Sequence, residues 1–244
     1  MKEKVMNGLE KFSKAMLSPL SYISAAGLIL VLGALLTSTS LSAMIPVLQW
    51  TPIKLLGQLI YNCIMVIINN LSLMFCVGIA AALAKKNKQQ AAIIGLMSYF
   101  MYLTAGNVTL TQLGMLAEAD PMVGLYGTGQ STVFGIQTVD MGVFGGIVVG
   151  LGVAALHNKF YKIELPQVLA FFGGTRFVPI VSSIVYLVVG IAMFYIWPVV
   201  QSGIAALGAL VLASGYAGTF IYGLRERALI PFGLHHVFYM PFWQ

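Results

Sequence analysis

Charge is what this sequence has least of. Only 8% of its 244 residues are charged, against roughly a quarter in an average globular chain, so an ordinary water-soluble domain is excluded. Cysteine is nearly absent as well: Cys63 and Cys76 are the two present, and both lie inside apolar runs. A secreted disulfide framework needs several cysteines in polar loops and is excluded in turn. Long low-hydropathy stretches are also missing, which excludes intrinsic disorder. What remains is a chain that is 59% hydrophobic with a mean hydropathy of +0.91. Most of its surface must face something other than water, and the fold class that follows is an all-α integral membrane protein lying in a lipid bilayer.

The net charge of +6 does not point to nucleic acid, because no aromatic-interleaved basic face accompanies it. The cations form small clusters between apolar runs: Lys2, Lys4, Lys11 and Lys14; Lys85, Lys86 and Lys88; Lys159, Lys162 and Arg176; Arg225 and Arg227. That distribution follows the positive-inside rule. The N-terminal residues 1–16 read as an amphipathic cytoplasmic lead-in, with Leu9, Phe12 and Met16 on one helical face. The uncharged stretch from Ala15 to Ile53 is too long for a cleaved signal segment.

At about 20 residues per crossing, the chain divides into about six transmembrane helices. They are Leu17–Ser38, a crossing within Leu55–Ala84, Gln90–Ala105, Met141–Asn158, Pro179–Val200 and Gly203–Leu224. The second run is too long for one upright crossing and too short for two. Asn62, Asn69, Asn70 and Ser72 lie within it, so a tilted helix or an interfacial piece followed by a span is expected. A turn is expected at Pro198–Gly203. Gly106–Asp140 carries Glu118, Asp120 and Asp140 with no Lys or Arg, and reads as an external loop long enough to hold partial elements. Twelve of the thirteen basic residues then share one face, with Lys54 the exception, and both chain ends are cytoplasmic. Gly27, Gly33, Gly145 and Gly150 would permit close helix approach in a homodimer.

The final residues do not repeat this pattern. After Arg227, Pro231 and Pro241 interrupt an apolar stretch that also holds Gly233, His235 and His236. Non-helical backbone at membrane depth is tolerated where it lines a cavity or is buried in protein. An incomplete re-entrant hairpin fits that composition.

Three strings now carry a resemblance: VDMGVFGGIVVG (Val139 to Gly150), FGGTRFVPI (Phe172 to Ile180) and ERALIPFGLHH (Glu226 to His236). The chain resembles, along its whole length, the glucose-superfamily enzyme IIC, the membrane permease component of the bacterial sugar phosphotransferase system. Its flavour is that of the maltose/alpha-glucoside or glucose branch. The resemblance implies a bundle over residues 17–200 that forms a homodimer interface, and the start of a sugar-binding domain over 201–244. It implies a glucose-type or alpha-glucoside substrate, an enzyme IIB phosphocysteine domain as phosphoryl donor, and the bacterial inner membrane as location. No cofactor and no metal are implied. The family's glutamate motif, close to G-I-T-E-P, has no counterpart in these residues. This expectation is of the N-terminal half only, inactive alone, and the alternative is a truncated, non-catalytic membrane fragment that only dimerises. Cys63 and Cys76 lie in spans, so neither is expected to carry phosphate.

In that context His235 is the expected catalytic and sugar-binding residue, hydrogen bonding a sugar hydroxyl or holding the hydroxyl that accepts phosphate. His236 and Glu226 join the expected substrate-binding set, Glu226 more readily as a partner for a neighbouring arginine. Arg227 keeps two readings: a surface anchor, or a fork of donors for sugar hydroxyls or phosphoryl oxygens. Arg225 reads as an anchor. Gly173–Gly174 reads as a flexible joint ahead of Arg176, which either anchors it or meets the phosphorylated partner. Asp140 reads as a helix N-cap, and His157 as solvated. Phe232, Phe238, Tyr239, Phe242 and Trp243 would suit a sugar face or the membrane interface alike.

Overall fold

The computed structural model describes residues 2–121, 124–125, 127–214, 220 and 223. Among them the regular structure is helical apart from one β-hairpin and an isolated bridge between Asp120 and Gly124. Among the described residues five helices are long and apolar enough to cross a membrane: Glu10–Thr37, Thr51–Asn69, Lys88–Gln112, Gly142–Phe160 and Gly174–Gly203. The all-α membrane class read from the composition is the class observed. The chain falls into two compact units, one of them Leu17–Leu71 and the other built mainly from Ser72 onward.

The first unit holds most of α1 (Lys2–Thr37), the short α2 (Thr39–Met44), and α3 (Thr51–Asn69). Ser38 starts α2 by accepting the Leu41 amide on its hydroxyl, and a short turn of tight helix at Pro46–Gln49 leads into α3. Glycine sets the α1–α3 approach. A Cβ at Gly33 would lie 2.8 Å from the Tyr61 nitrogen, and one at Gly57 would lie 2.7 Å from the Leu36 Cβ. Elsewhere the pair shows its apolar side chains outward, among them Leu28, Val31, Leu32, Leu56, Leu59 and Val66. In water such a face would be untenable; against lipid tails it costs nothing.

The long run Leu55–Ala84 is not one helix. It breaks at Asn70 into α3 and α4 (Leu71–Leu83). The Asn70 side chain donates to the Val66 carbonyl at 2.7 Å, a local bond that competes with helix continuation. At about 20 Å, α4 is shorter than the hydrocarbon core.

In the second unit α5 (Lys88–Gln112) is central, packed on α6 (Gly142–Phe160), on α7 (Phe177–Ala213) and on the hairpin. The core gathers Cys76, Ile94, Tyr99, Leu103, Val149 and Val178. Glycines again replace side chains where helices touch: a Cβ at Gly150 would lie 2.7 Å from the Cys76 carbonyl oxygen, and one at Gly190 2.6 Å from that of Tyr102.

Three expectations need correction in this unit. The third span was expected to end at Ala105, yet α5 continues to Gln112. Thr109 and Thr111 return their hydroxyls to the carbonyls of Ala105 and Asn107 at 2.7 and 2.9 Å, so these polar residues stay within the helix. The turn expected at Pro198–Gly203 is absent, and α7 runs through Pro198 without a break. An internal proline is tolerated in a membrane helix, where neighbouring groups re-satisfy the freed backbone. His157, expected in solvent, is fully buried.

The Gly106–Asp140 segment holds β1 (Gln130–Val133) and β2 (Ile136–Val139), antiparallel with Gln130 opposite Val139 and Val133 opposite Ile136. The two-residue turn Phe134–Gly135 has φ of 50° and 79°, the doubly positive geometry that matches strand twist.

Candidate functional site

The four residues expected to form the sugar site, Glu226, Arg227, His235 and His236, lie outside the described residues. So do Arg225, residues 215–219, 221, 222 and 224 of the sixth span, and the hairpin arm. The described chain shows instead the frame that precedes them, with a distinct chemistry at each of its two ends.

At one end the carbonyls and amides of the α4–α5 turn are clasped by the last turn of α6. Asn158 receives the Lys85 amide at 2.8 Å on its oxygen and donates its nitrogen to the Leu83 carbonyl at 2.9 Å. His157 donates Nε2–H to the Lys86 carbonyl at 2.9 Å and stacks on Tyr161 with ring centroids 5.8 Å apart. The bonding explains the burial: the turn that carries Lys85, Lys86 and Lys88 folds over the imidazole. Sequence reasoning missed this pair, and the available signal was His-Asn at the end of a span with a lysine-flanked turn to close against.

Gly173–Gly174 lies at the same end. Gly174 takes φ +64°, which favours glycine, and its amide bonds the Ile163 carbonyl at 2.8 Å. The pair read as a flexible joint is therefore a turn with a specific backbone bond. Arg176 donates Nη1–H to the Phe171 carbonyl at 3.2 Å and stands 4.5 Å from the centroid of the Phe171 ring.

The other end carries the hairpin and three acidic residues, Glu118, Asp120 and Asp140. Gln137 donates its amide to the Ala117 carbonyl and to Gln130 Oε1, each at 2.8 Å, while Gln130 donates to the Met115 carbonyl at 2.7 Å. Asn107 on α5 donates to the Gln137 carbonyl at 2.7 Å. Asp140 accepts the Gly142 amide at 3.0 Å on its carboxylate, so it serves the start of α6 although Met141 occupies the cap position. The Asp140 carbonyl accepts the Trp197 indole N–H from α7. From Phe177 to Trp197 a helix rises about 30 Å, one hydrocarbon thickness. The basic and acidic ends of the unit are thus a bilayer apart.

Between the ends, polar atoms are used to pin helices together. Tyr99 donates to Ser72 Oγ at 2.6 Å and Tyr186 to the Val149 carbonyl at 2.7 Å. The cavity under the hairpin, lined by Tyr99, Tyr102, Thr138 and Met141 among others, measures about 10 Å³. That is the lower limit for one water molecule and far below a sugar ring. Among the described residues no group of three or more His, Cys, Asp or Glu gathers as a metal site. Cys76 is buried with Sγ 3.4 Å from the Gly95 carbonyl, and Cys63 is exposed on the apolar α3.

A multi-pass helical membrane protein with a basic end, an acidic end and a glycine-notched bundle is the class these observations define. The model of the family described as "Phosphotransferase system, EIIC" matches residues 13–244, and the chain belongs to that family. It is 39% identical over 248 residues to the PTS system glucoside-specific EIICBA component of Staphylococcus carnosus (strain TM300), covering 99% of this chain and 36% of that protein. It is 36% identical over 228 residues to the PTS system maltose-specific EIICB component of Escherichia coli (strain K12), covering 93% of this chain and 43% of that protein. The chain spans less than half the length of either relative.

Proposed function

We propose that this chain supplies the membrane permease part of a phosphoenolpyruvate-dependent sugar phosphotransferase system, coupling uptake of a glucose-type or alpha-glucoside sugar to its phosphorylation. The observation that carries the reading is the family match over residues 13–244, supported by relatives named for glucosides and maltose. Residues 17–200 act as the bundle and homodimer interface, and residues 201–244 open the sugar-binding region. There Arg227, His235, His236 and Glu226 contact the sugar, and His235 holds the hydroxyl that attacks phosphorus. The phosphoryl group comes from a phosphocysteine on an enzyme IIB domain, and the charge that develops on it in transfer is met by fixed donors, for which Arg227 is suited. Phosphorylation then traps the sugar inside.

The test uses the gene product carrying this sequence in membrane vesicles supplied with phosphoenolpyruvate, the soluble phosphotransfer proteins and enzyme IIB. Radiolabelled glucose or maltose is expected to accumulate as its phosphate. Uptake of unmodified sugar that does not respond to phosphoenolpyruvate would overturn the reading.

The proposed orientation places both chain ends and the basic end of the bundle in the cytoplasm of a bacterium, with the hairpin outside. In a Cys63→Ser background, a membrane-impermeant maleimide applied to intact cells is expected to label Thr128→Cys and to spare Gln89→Cys. Both positions are exposed, so access depends on the side of the membrane alone. The reverse pattern would invert the orientation.

A further inference from the structure

The connection between α6 and α7 has an unusual surface. Its tight helical turn Gln167–Phe172 buries none of its residues. Val168 is 93% exposed and Phe171 70%, so the described residues leave the apolar side chains of this turn largely uncovered. Cations surround it. Lys159 stands 5.2 Å from the Phe160 ring centroid, Lys162 5.6 Å from that of Tyr161, and Arg176 4.5 Å from that of Phe171. Through the Asn158 and His157 bonds, the turn bearing Lys85, Lys86 and Lys88 adjoins the same end. The one carboxylate in the connection is Glu164. Among the described residues the only ion pair is Lys14–Glu10, so no described carboxylate pairs with any of these six cations.

We propose that this connection is an interfacial binding site for anionic phospholipid, with Val168 and Phe171 among the acyl chains and Lys159, Lys162 and Arg176 on the headgroup phosphate. Two constraints favour lipid over a soluble protein. Both flanking helices are membrane spans, and their adjoining ends hold the sixteen-residue connection 161–176 at the bilayer surface. Its composition also fits that depth: aromatic and aliphatic side chains for the acyl boundary, with long cationic side chains that reach outward to phosphate. A polybasic edge beside a span is attracted to an anionic leaflet. Arg176 is already held over the Phe171 ring, so cation and apolar anchor are fixed together before lipid arrives.

The test places a photoreactive group at the anchor, as Phe171→benzoylphenylalanine, in the gene product reconstituted into vesicles of equal parts phosphatidylglycerol and phosphatidylcholine. After irradiation, adducts are identified by mass. Phosphatidylglycerol adducts are expected to exceed phosphatidylcholine adducts by about fivefold, the selectivity that one well-placed cation confers. The excess should fall toward equality in the combined Lys159→Gln, Lys162→Gln, Arg176→Gln variant. It should also shrink in the otherwise unaltered protein at about 0.5 M salt, which screens exposed charge and needs no further variant to fold. Equal adducts at low salt would overturn the proposal. So would the absence of lipid adducts, or crosslinking to an added enzyme IIB domain in place of lipid, which would make the surface a protein dock.

Discussion

Gly146→Leu is expected to abolish accumulation of the protein as a monodisperse species in detergent, while Gly203→Leu leaves it unchanged. A Cβ at Gly146 would fall on the carbonyl of Ser72, whereas one at Gly203 meets nothing within 4 Å. The obstacle at Gly146 is backbone of α4, which has no rotamer in which to retreat, so α6 must move away from α4 as a body. That movement would draw Gly150 off the Cys76 carbonyl one turn later. Overpacking by side chains alone costs about 1–3 kcal/mol. A clash with backbone at the centre of a unit should exceed that, against a total stability of about 5–15 kcal/mol. Size-exclusion profiles and thermal melts of the two variants give the comparison. A Gly146→Leu protein that elutes and melts like its parent would mean that α4 and α6 do not pack in this way.

The same glycines show where sequence reasoning stops. Spans were legible because apolar length is a local property: α1, α3, α5, α6 and α7 each lie where an uncharged run had to cross. Which surface a glycine serves is not local. Gly33 and Gly150 were read as opening one copy of the chain to another, yet each receives a helix of its own chain, α3 at Gly33 and α4 at Gly150. Pro198 marked a turn by the logic of soluble proteins, and the membrane relaxes that logic for helix interiors. Thr109 and Thr111 looked like loop residues until their hydroxyls were seen to bond within the helix. His157 looked solvated because its neighbours Asn158 and Lys159 are polar. Its burial depends on a turn seventy residues earlier in the chain, a pairing that no window of sequence contains. The family, by contrast, was legible in strings such as FGGTRFVPI and ERALIPFGLHH, whose order is unusual enough to identify without a fold.

Those strings also carry the prediction with the largest effect on activity. In the gene product bearing this sequence, Arg227→Ala and His235→Ala are each expected to lower the initial rate of phosphoenolpyruvate-driven sugar uptake by about 10- to 150-fold. That range corresponds to one charge-assisted hydrogen bond of about 1.5–3 kcal/mol. Arg227→Lys separates the two readings of the arginine. A surface anchor needs only positive charge, and lysine would keep the rate. A fork that holds two oxygens at once needs the planar guanidinium, and lysine, a single compact charge, would lose most of it. For His235 the discriminating measurement is the ratio of phosphorylation to binding. If the imidazole orients the hydroxyl that attacks phosphorus, His235→Ala should depress kcat more than it raises KM. If it only binds sugar, the loss should appear in KM. All rates are referred to the amount of protein in the membrane, so poor insertion does not pass for poor chemistry. Full uptake by His235→Ala would remove that residue from the site, and full uptake by both Arg227→Ala and Arg227→Lys would leave the arginine without a part in recognition.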